Sequence, residues 1–96
     1  MKLEELFDRR HFVLLDGGMG TQLQQRGLAP GALPELAAFT MPETLTAIHR
    51  DYARAGADIL LANTFGANEG KLAGTGYTVA ETVAASIACA RAAAAE

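Results

Sequence analysis

The sequence predicts an α/β fold in which parallel strands are joined by helical crossovers. Two short runs rich in apolar residues, at positions 12–16 and 58–62, are typical of strands that are buried on both faces. A segment with helical spacing follows each run. The order strand, helix, strand, helix implies that the two strands lie parallel and are joined by right-handed crossovers.

Two short helices are predicted around the first strand. Apolar residues at helical spacing predict an opening helix over residues 2–8, which we expect to pack as a plug or lid. After the first strand, residues 21–26 form one or two helical turns that Gly27 closes. Pro and Gly then predict a loop over residues 29–34.

The crossover helix between the two strands is predicted to begin at Thr40 and to end at Gly56. Thr40 and Glu43 have the spacing of a capping box, and Pro42 stands early in the helix, where a missing N–H does no harm. Its apolar face is expected to hold Leu45, Ile48, Tyr52 and Ala55.

A last helix is predicted after the second strand. Asn68 is expected to cap a short turn over residues 69–72, and a second capping box, of Thr78 and Glu81, begins the helix itself. The apolar face of this helix is expected to hold Val79, Val83, Ile87 and Ala90.

Composition excludes several classes of function. The 96 residues carry a net charge of −3 with neither sign gathered in a block, which argues against nucleic acid and anionic membranes as partners. No apolar run approaches the roughly 20 residues that span a bilayer. The acidic residues that follow Lys2 do not fit a secretory signal, so we expect a cytoplasmic protein. Cys89 is the only cysteine, which excludes an internal disulfide and a multi-cysteine metal site.

The tract after the first strand, Asp16-Gly17-Gly18, has the chemistry of a binding loop. Successive glycines let backbone N–H groups approach an anion, and the Asp16 carboxylate could accept from an ammonium group. Such a pair would hold both ends of an amino acid. The same residues also fit a tight turn that Asp16 caps, and their spacing leaves both interpretations open.

The tract after the second strand begins with Asn63 and Thr64. These side chains either line a ligand site at the strand ends or satisfy local backbone groups. Other reactive side chains are interpreted as structural. His11 precedes the first strand, His49 is placed on the flank of a helix, and Cys89 is a small packing residue.

Three tracts, at residues 14–28, 42–68 and 71–77, resemble the amino-terminal part of homocysteine S-methyltransferases. The most specific pair is DGGMGT followed some 40 residues later by ANTFGAN. The family includes enzymes that use S-methylmethionine or betaine and the homocysteine module of cobalamin-dependent methionine synthase. The resemblance implies a (β/α)₈ TIM barrel, of which residues 1–96 would form the first two βα units.

The resemblance also implies a site and a reaction. Asp16, Gly17 and Gly18 would hold the amino and carboxylate ends of homocysteine, with Met19 adding its backbone N–H, and Asn63 and Thr64 would line the pocket floor. A zinc ion would bind the homocysteine thiolate, which then attacks the methyl group of the donor. The zinc ligands of the family are three cysteines, whereas this sequence contains one.

A barrel of this kind takes about 250 residues, so the sequence is expected to be an incomplete, amino-terminal part of one homocysteine-binding domain. We expect the chain alone to be inactive and to expose sheet edges through which it could self-associate. Two alternatives stay open: the homocysteine module of a methionine synthase, and a non-catalytic small module that binds an amino acid, an anion or a protein partner.

Overall fold

The computed structural model describes residues 2–9 and 12–95, which form six α-helices and one 3₁₀ turn. The elements in chain order are α1 (Leu3–Arg9), α2 (Gly20–Gln25), the 3₁₀ turn (Pro34–Leu36), α3 (Ala37–Thr40), α4 (Pro42–Arg54), α5 (Glu69–Leu72) and α6 (Val79–Ala94). None of the described helices is both long and apolar enough to cross a bilayer. His11 lies outside the described residues, so the structural role predicted for it stays a prediction.

The predicted α/β fold, with two βα units of a (β/α)₈ barrel, is wrong for this chain, because its described residues contain no β-strand. Residues 12–16 and 58–62 meet only in one parallel bridge, between Leu15 and Ile59. At this bridge the Asp16 N–H donates to the Ile59 carbonyl at 3.1 Å, and the Ile59 N–H donates to the Leu14 carbonyl at 3.1 Å.

Two carboxylates explain why the pairing stops after one bridge. A longer parallel ladder would next use the N–H groups of Leu14 and Leu61 as donors to backbone carbonyls of the facing segment. Instead, the Leu14 N–H donates to Asp58 Oδ2 at 2.9 Å, and the Leu61 N–H donates to Asp16 Oδ2 at 3.2 Å. Side chains have therefore replaced the carbonyls at both ends of the bridge.

The apolar side chains of these two segments are also uncovered. Leu14, Leu15 and Leu61 are 45, 55 and 55% exposed. A parallel sheet is stabilised by layers on both of its faces, and these residues have no such layers here. The apolar runs were recognised correctly, but the burial that would make them strands is missing.

The core lies between helices. Helix α4 packs against α6, α3 and α2, and the buried cluster consists of Leu23, Ala37, Ala38, Leu45, Ile48 and Cys89. Leu45 and Ile48 are the predicted core positions of α4 and are confirmed as buried. Tyr52 is half-buried, and Ala55, also predicted for this face, is exposed.

The start of α4 differs from the predicted capping box. Met41 is the N-cap, and no side chain caps the helix. Thr40 instead ends α3, where its hydroxyl donates to the Leu36 carbonyl at 3.2 Å. The 3₁₀ turn and α3 were not predicted, and they occupy the residues that would have led into the cap. Pro42 stands at the first turn of α4 as predicted, and Gly56 follows the helix with φ of 114°.

The capping box of α6 is confirmed, but its predicted apolar face is wrong. The Thr78 hydroxyl accepts from the Glu81 N–H, and the Glu81 carboxylate accepts from the Thr78 N–H, both at 3.1 Å. The buried face consists of Thr82, Ser86, Cys89 and Ala93. Ile87, a predicted core residue, is 37% exposed. In a helix so rich in Ala, apolar character does not distinguish one face from another, and the small side chains face α4.

The short elements follow their predictions in part. Helix α1 forms, but none of its residues is buried, so it does not pack as a plug. Helix α2 is followed by Gly27 with φ of 117°. Asn68 caps α5, its side-chain oxygen accepting from the Lys71 N–H at 2.9 Å. Cys89 is a packing residue as predicted, since it is buried in the core cluster.

Candidate functional site

The two predicted loops meet beside the parallel bridge and enclose a cavity of about 180 Å³. The cavity is lined by Asp16, Gly17, Met19, Leu61, Ala62, Asn63, Thr64 and Phe65. The bridge brings these residues together, because it sets the end of residues 12–16 beside the end of residues 58–62. Five of the six predicted site residues line this cavity, and Gly18 stands next to it in the chain.

Asp16 lies half-buried in the cavity wall. Its Oδ2 accepts the Leu61 N–H at 3.2 Å, which fixes the carboxylate across the bridge. Within the described part of the chain, no donor is bonded to Oδ1. A carboxylate held by one oxygen, with the other open, is suited to accept a hydrogen bond from a cationic ligand group.

The backbone beside Asp16 supplies unused donors. No described acceptor receives the N–H groups of Gly17, Gly18 or Met19. These N–H groups are available as donors to an anion. The loop therefore sets potential acceptors and donors side by side, which is what the two ends of an amino acid require.

Tyr52 of α4 holds this loop in place. Its hydroxyl donates to the Gly18 carbonyl at 2.6 Å. A Cβ at Gly17 would lie only 3.0 Å from Tyr52 Cε1 and from its hydroxyl oxygen, so any larger residue there would make the ring shift by a few tenths of an ångström. Sequence reasoning placed Tyr52 in the core and missed this bond. The available signal was that a buried Tyr hydroxyl usually has a partner.

Asn63 ties the second loop to the 3₁₀ turn. The Asn63 side chain is 7% exposed, and its Nδ2 donates to the Pro34 carbonyl at 2.7 Å. This partner is distant in sequence, so Asn63 does more than satisfy its own strand end. The Thr64 hydroxyl makes no hydrogen bond to a described group and remains available to a ligand. Buried Glu35, which was not predicted, packs against Gly66 of the same loop.

His49 is the largest departure from the predicted set of polar residues. It was placed on the flank of α4, yet it is 0% exposed. Neither ring nitrogen has a hydrogen-bond partner. Burial lowers the pKa of His49 from the ordinary value of 6.5, and the charge of Asp16 opposes that shift. The imidazole is therefore neutral at neutral pH, and it lies within electrostatic reach of the site.

The described residues do not fit a metal centre. No group of three or more His, Cys, Asp or Glu side chains gathers among them. The Cys89 thiol contacts the Pro42 carbonyl at 3.9 Å and packs in the core, away from the cavity. Its surroundings are those of a small apolar residue.

A larger groove, of about 440 Å³, runs between the end of α4 and α6. It is lined mainly by alanines, with Leu60, Ile87, Asp58 and Arg91, and of the residues that line the smaller cavity it shares only Ala62. We therefore assign the candidate site to the smaller cavity, where polar groups converge.

Comparison with known proteins places this arrangement in a family of enzymes. Residues 13–96 match the homocysteine S-methyltransferase family. Betaine–homocysteine S-methyltransferase 1 of Xenopus laevis is 37% identical over 82 residues, which cover 84% of this chain and 20% of that protein. Homocysteine S-methyltransferase of Escherichia coli is 33% identical over 84 residues, covering 85% of this chain and 27% of that protein.

Two further similarities agree with this placement. Methionine synthase of Mycobacterium leprae is 41% identical over 76 residues, which cover 71% of this chain and 6% of that protein. The crystal structure of the homocysteine methyltransferase MmuM from Escherichia coli, in its metallated form, superposes with a TM-score of 0.85 at 32% identity. That superposition covers 97% of this chain and 34% of the enzyme.

The chain belongs to the homocysteine S-methyltransferase family. It spans about a third or less of the length of these relatives.

Proposed function

We propose that residues 1–96 are the amino-terminal part of the homocysteine-binding domain of a homocysteine S-methyltransferase. The observation that carries the proposal is that Asp16, with one open carboxylate oxygen, lines one cavity together with Gly17 and Met19, whose N–H groups are unused. Membership of the family supplies the substrate class. The relatives' enzymatic names concern much longer chains, so the activity belongs to the proposal.

Each end of homocysteine has a partner in this arrangement. Oδ1 of Asp16 would accept from the ammonium group, and the N–H groups of Gly17, Gly18 and Met19 would donate to the carboxylate. Asn63 and Thr64 would form the floor, where the Thr64 hydroxyl is an additional donor or acceptor. These contacts orient the amino-acid end of the substrate.

The proposed reaction is methyl transfer to sulfur. A lone pair of the homocysteine thiolate forms a bond to the methyl carbon of S-methylmethionine or a similar donor, and the donor keeps the electron pair of the bond that breaks. Methionine is the product. The resemblance implies zinc, and one relative is described as metallated, but the residues described here do not fit a zinc site. Its cysteine ligands would have to belong to a part of the enzyme outside this sequence.

A second candidate is the homocysteine module of a cobalamin-dependent methionine synthase. The mycobacterial methionine synthase favours it, because its identity of 41% is the highest of the relatives described above. A non-catalytic module that binds an amino acid, an anion or a protein is the third candidate. The sequence that follows Glu96 in the gene separates the first two, because folate- and cobalamin-binding modules would follow only in a methionine synthase.

We propose a cytoplasmic protein whose partners are homocysteine and a methyl donor, without nucleic acid or membrane as partners. The exposed leucines beside the bridge support self-association of the isolated chain. Light scattering over a range of protein concentrations measures this self-association. A mass that stays that of the monomer at every concentration would contradict it.

Replacing Asp16 with Asn tests the proposed site. The amide keeps an oxygen for the Leu61 N–H but removes the negative charge that would receive the ammonium group. We expect homocysteine affinity to fall about 10- to 100-fold, the usual range for a hydrogen bond to a charged group. Isothermal titration calorimetry of the 96-residue protein measures this change.

Asp8→Asn is the matched control. It removes the same charge, but from an exposed residue of α1. Its affinity for homocysteine should equal that of the unmodified chain. An unchanged affinity in Asp16→Asn would remove Asp16 from the site, and an absence of homocysteine binding in the unmodified chain would contradict the proposed function.

The isolated chain is expected not to catalyse methyl transfer, because its described residues gather no metal site that could bind the thiolate. The assay combines the purified protein with homocysteine, Zn²⁺ and S-methylmethionine and measures methionine by mass spectrometry. The Escherichia coli homocysteine S-methyltransferase serves as the positive control. Turnover at enzyme-like rates, about 1 per second or more, would show that the 96 residues are sufficient.

A further inference from the structure

Tyr52 contacts the first loop from α4 without lining the candidate cavity. Its hydroxyl donates to the Gly18 carbonyl at 2.6 Å, and its ring lies 3.0 Å from the place of a Cβ at Gly17. Gly17 and Met19 line the candidate cavity, whereas Tyr52 lines a separate cavity of about 240 Å³ beside α2 and α4. The Tyr52 side chain therefore acts on the loop from outside the candidate site.

The bond from Tyr52 fixes the direction of one peptide group. The Gly18 carbonyl and the Met19 N–H belong to the same peptide unit, which is planar, and no described peptide bond is cis. In a trans peptide the C=O and N–H bonds point in opposite directions. Because the hydroxyl holds the Gly18 oxygen, it also directs the Met19 N–H away from Tyr52. No described acceptor receives this N–H.

Core packing explains the ring of Tyr52 but not its hydroxyl. The ring packs against the buried cluster, which a phenylalanine would do equally well. The hydroxyl adds a bond to a carbonyl 34 residues away in the chain, in the loop that carries Asp16. A carbonyl that accepts a hydrogen bond is polarised together with its peptide group, which makes the N–H of that group a stronger donor. The hydroxyl thus both directs and strengthens the Met19 N–H.

We propose that Tyr52 is a positioning residue for the carboxylate end of the ligand: through the Gly18 carbonyl it orients the Met19 N–H as a donor to that carboxylate. The presence of a carboxylate in the ligand rests on the proposed function. The ammonium group of the ligand is assigned to Asp16, which the Tyr52 hydroxyl does not contact. Loss of the hydroxyl should therefore weaken recognition of the carboxylate.

Tyr52→Phe removes the hydroxyl and keeps the ring, and Tyr77→Phe is the matched control. Both tyrosines are half-buried. Tyr77 is stacked on Phe39 and does not line the candidate cavity. Each variant loses one phenolic oxygen and keeps an aromatic ring, so any general effect of the substitution appears in both.

The first measurement is an NMR comparison of the free proteins, with the Gly18 carbonyl carbon and the Met19 amide as probes. The chemical shifts of both change when the carbonyl gains or loses a hydrogen bond, because the peptide group is polarised as a unit. We expect both signals to move in Tyr52→Phe and to stay in place in Tyr77→Phe. Unchanged signals in Tyr52→Phe would overturn the inference. A loss of overall stability alone does not move the shifts of the folded chain.

The second measurement is a titration with acetate, which has a carboxylate and no ammonium group, followed at the Met19 amide. In the unmodified chain we expect acetate to shift the amide proton downfield, as a new acceptor does. The shift extrapolated to saturation should be smaller in Tyr52→Phe, and it should be unchanged in Tyr77→Phe. This quantity reports the geometry of the donor, because it does not depend on affinity.

Calorimetry with homocysteine then measures the effect on binding. We expect the affinity of Tyr52→Phe to be about three- to tenfold weaker than that of the unmodified chain, the range for one neutral hydrogen bond. The affinity of Tyr77→Phe should equal that of the unmodified chain. Equal affinities for the unmodified chain and Tyr52→Phe would overturn the inference and leave the proposed function in place.

The unmodified chain alone also provides a test, which holds even if Tyr52→Phe prevents folding. A Met19 amide that neither acetate nor homocysteine moves would overturn the inference. If acetate moves this amide but homocysteine does not bind, the proposed function fails, while the role of the Met19 N–H as a carboxylate donor is supported.

Discussion

Leu45→Ala should destabilise the chain by about 2–5 kcal/mol, the range for truncating a buried leucine. Leu45 is 0% exposed and belongs to the cluster that joins α4 to its neighbours. The effect should be severe, because small domains have only about 5–15 kcal/mol of stability in total. Only two other large apolar side chains, Leu23 and Ile48, stand beside Leu45 in the buried cluster. Urea unfolding followed by far-UV circular dichroism measures the loss.

Leu3→Ala is the matched control. It is the same chemical change in a helix, but Leu3 is 53% exposed and α1 buries none of its residues. We expect its free energy of unfolding to stay within about 0.5 kcal/mol of that of the unmodified chain. Equal losses for the two variants would mean that the helical cluster is not the stabilising core.

Gly17→Ala should disturb the site as well as the fold. The new methyl group would lie 3.0 Å from the Tyr52 ring, and the ring cannot retreat without lengthening its bond to the Gly18 carbonyl. Overpacking of this kind usually costs about 1–3 kcal/mol. Because the same loop carries Asp16 and the unused N–H groups, the affinity for homocysteine should fall together with the stability. Unfolding in urea and calorimetric titration give the two quantities separately.

The neighbouring glycine supplies the comparison. A Cβ at Gly18 would meet no atom within 4 Å, and its φ is not positive, so Gly18→Ala should change stability by less than about 0.5 kcal/mol. The two variants add the same methyl group one residue apart, and only the methyl group at Gly17 would contact the Tyr52 ring. If they were equally stable, the close approach of Tyr52 would not be what requires Gly17.

The parts of the fold that the sequence predicted well are those encoded by neighbouring residues. The capping box of Thr78 and Glu81 and the cap at Asn68 depend on residues within one turn, and both form. The apolar face of α4 was partly visible through the spacing of Leu45 and Ile48. The candidate site loops were likewise visible, because glycines and polar residues follow each apolar run.

The parts that failed depend on distant residues. Whether residues 12–16 become a strand is decided by what covers them, and by two aspartates that take the next N–H groups of the ladder. The buried state of His49 depends on what packs against α4, which the spacing of residues within the helix does not reveal. The face of α6 could not be read either, since alanines surround it and the small residues Ser86 and Cys89 pack inward.

The contact between Tyr52 and the loop also gives this protein an optical reporter of its own. The sequence contains no tryptophan and two tyrosines, so emission excited at wavelengths that phenylalanine does not absorb comes from tyrosine. Tyr77 is stacked on Phe39, with ring centroids 3.9 Å apart, whereas the Tyr52 hydroxyl is bonded to the loop beside the cavity. A ligand that shifts this loop changes the surroundings of Tyr52, so a change in the tyrosine emission reports on the loop without any label.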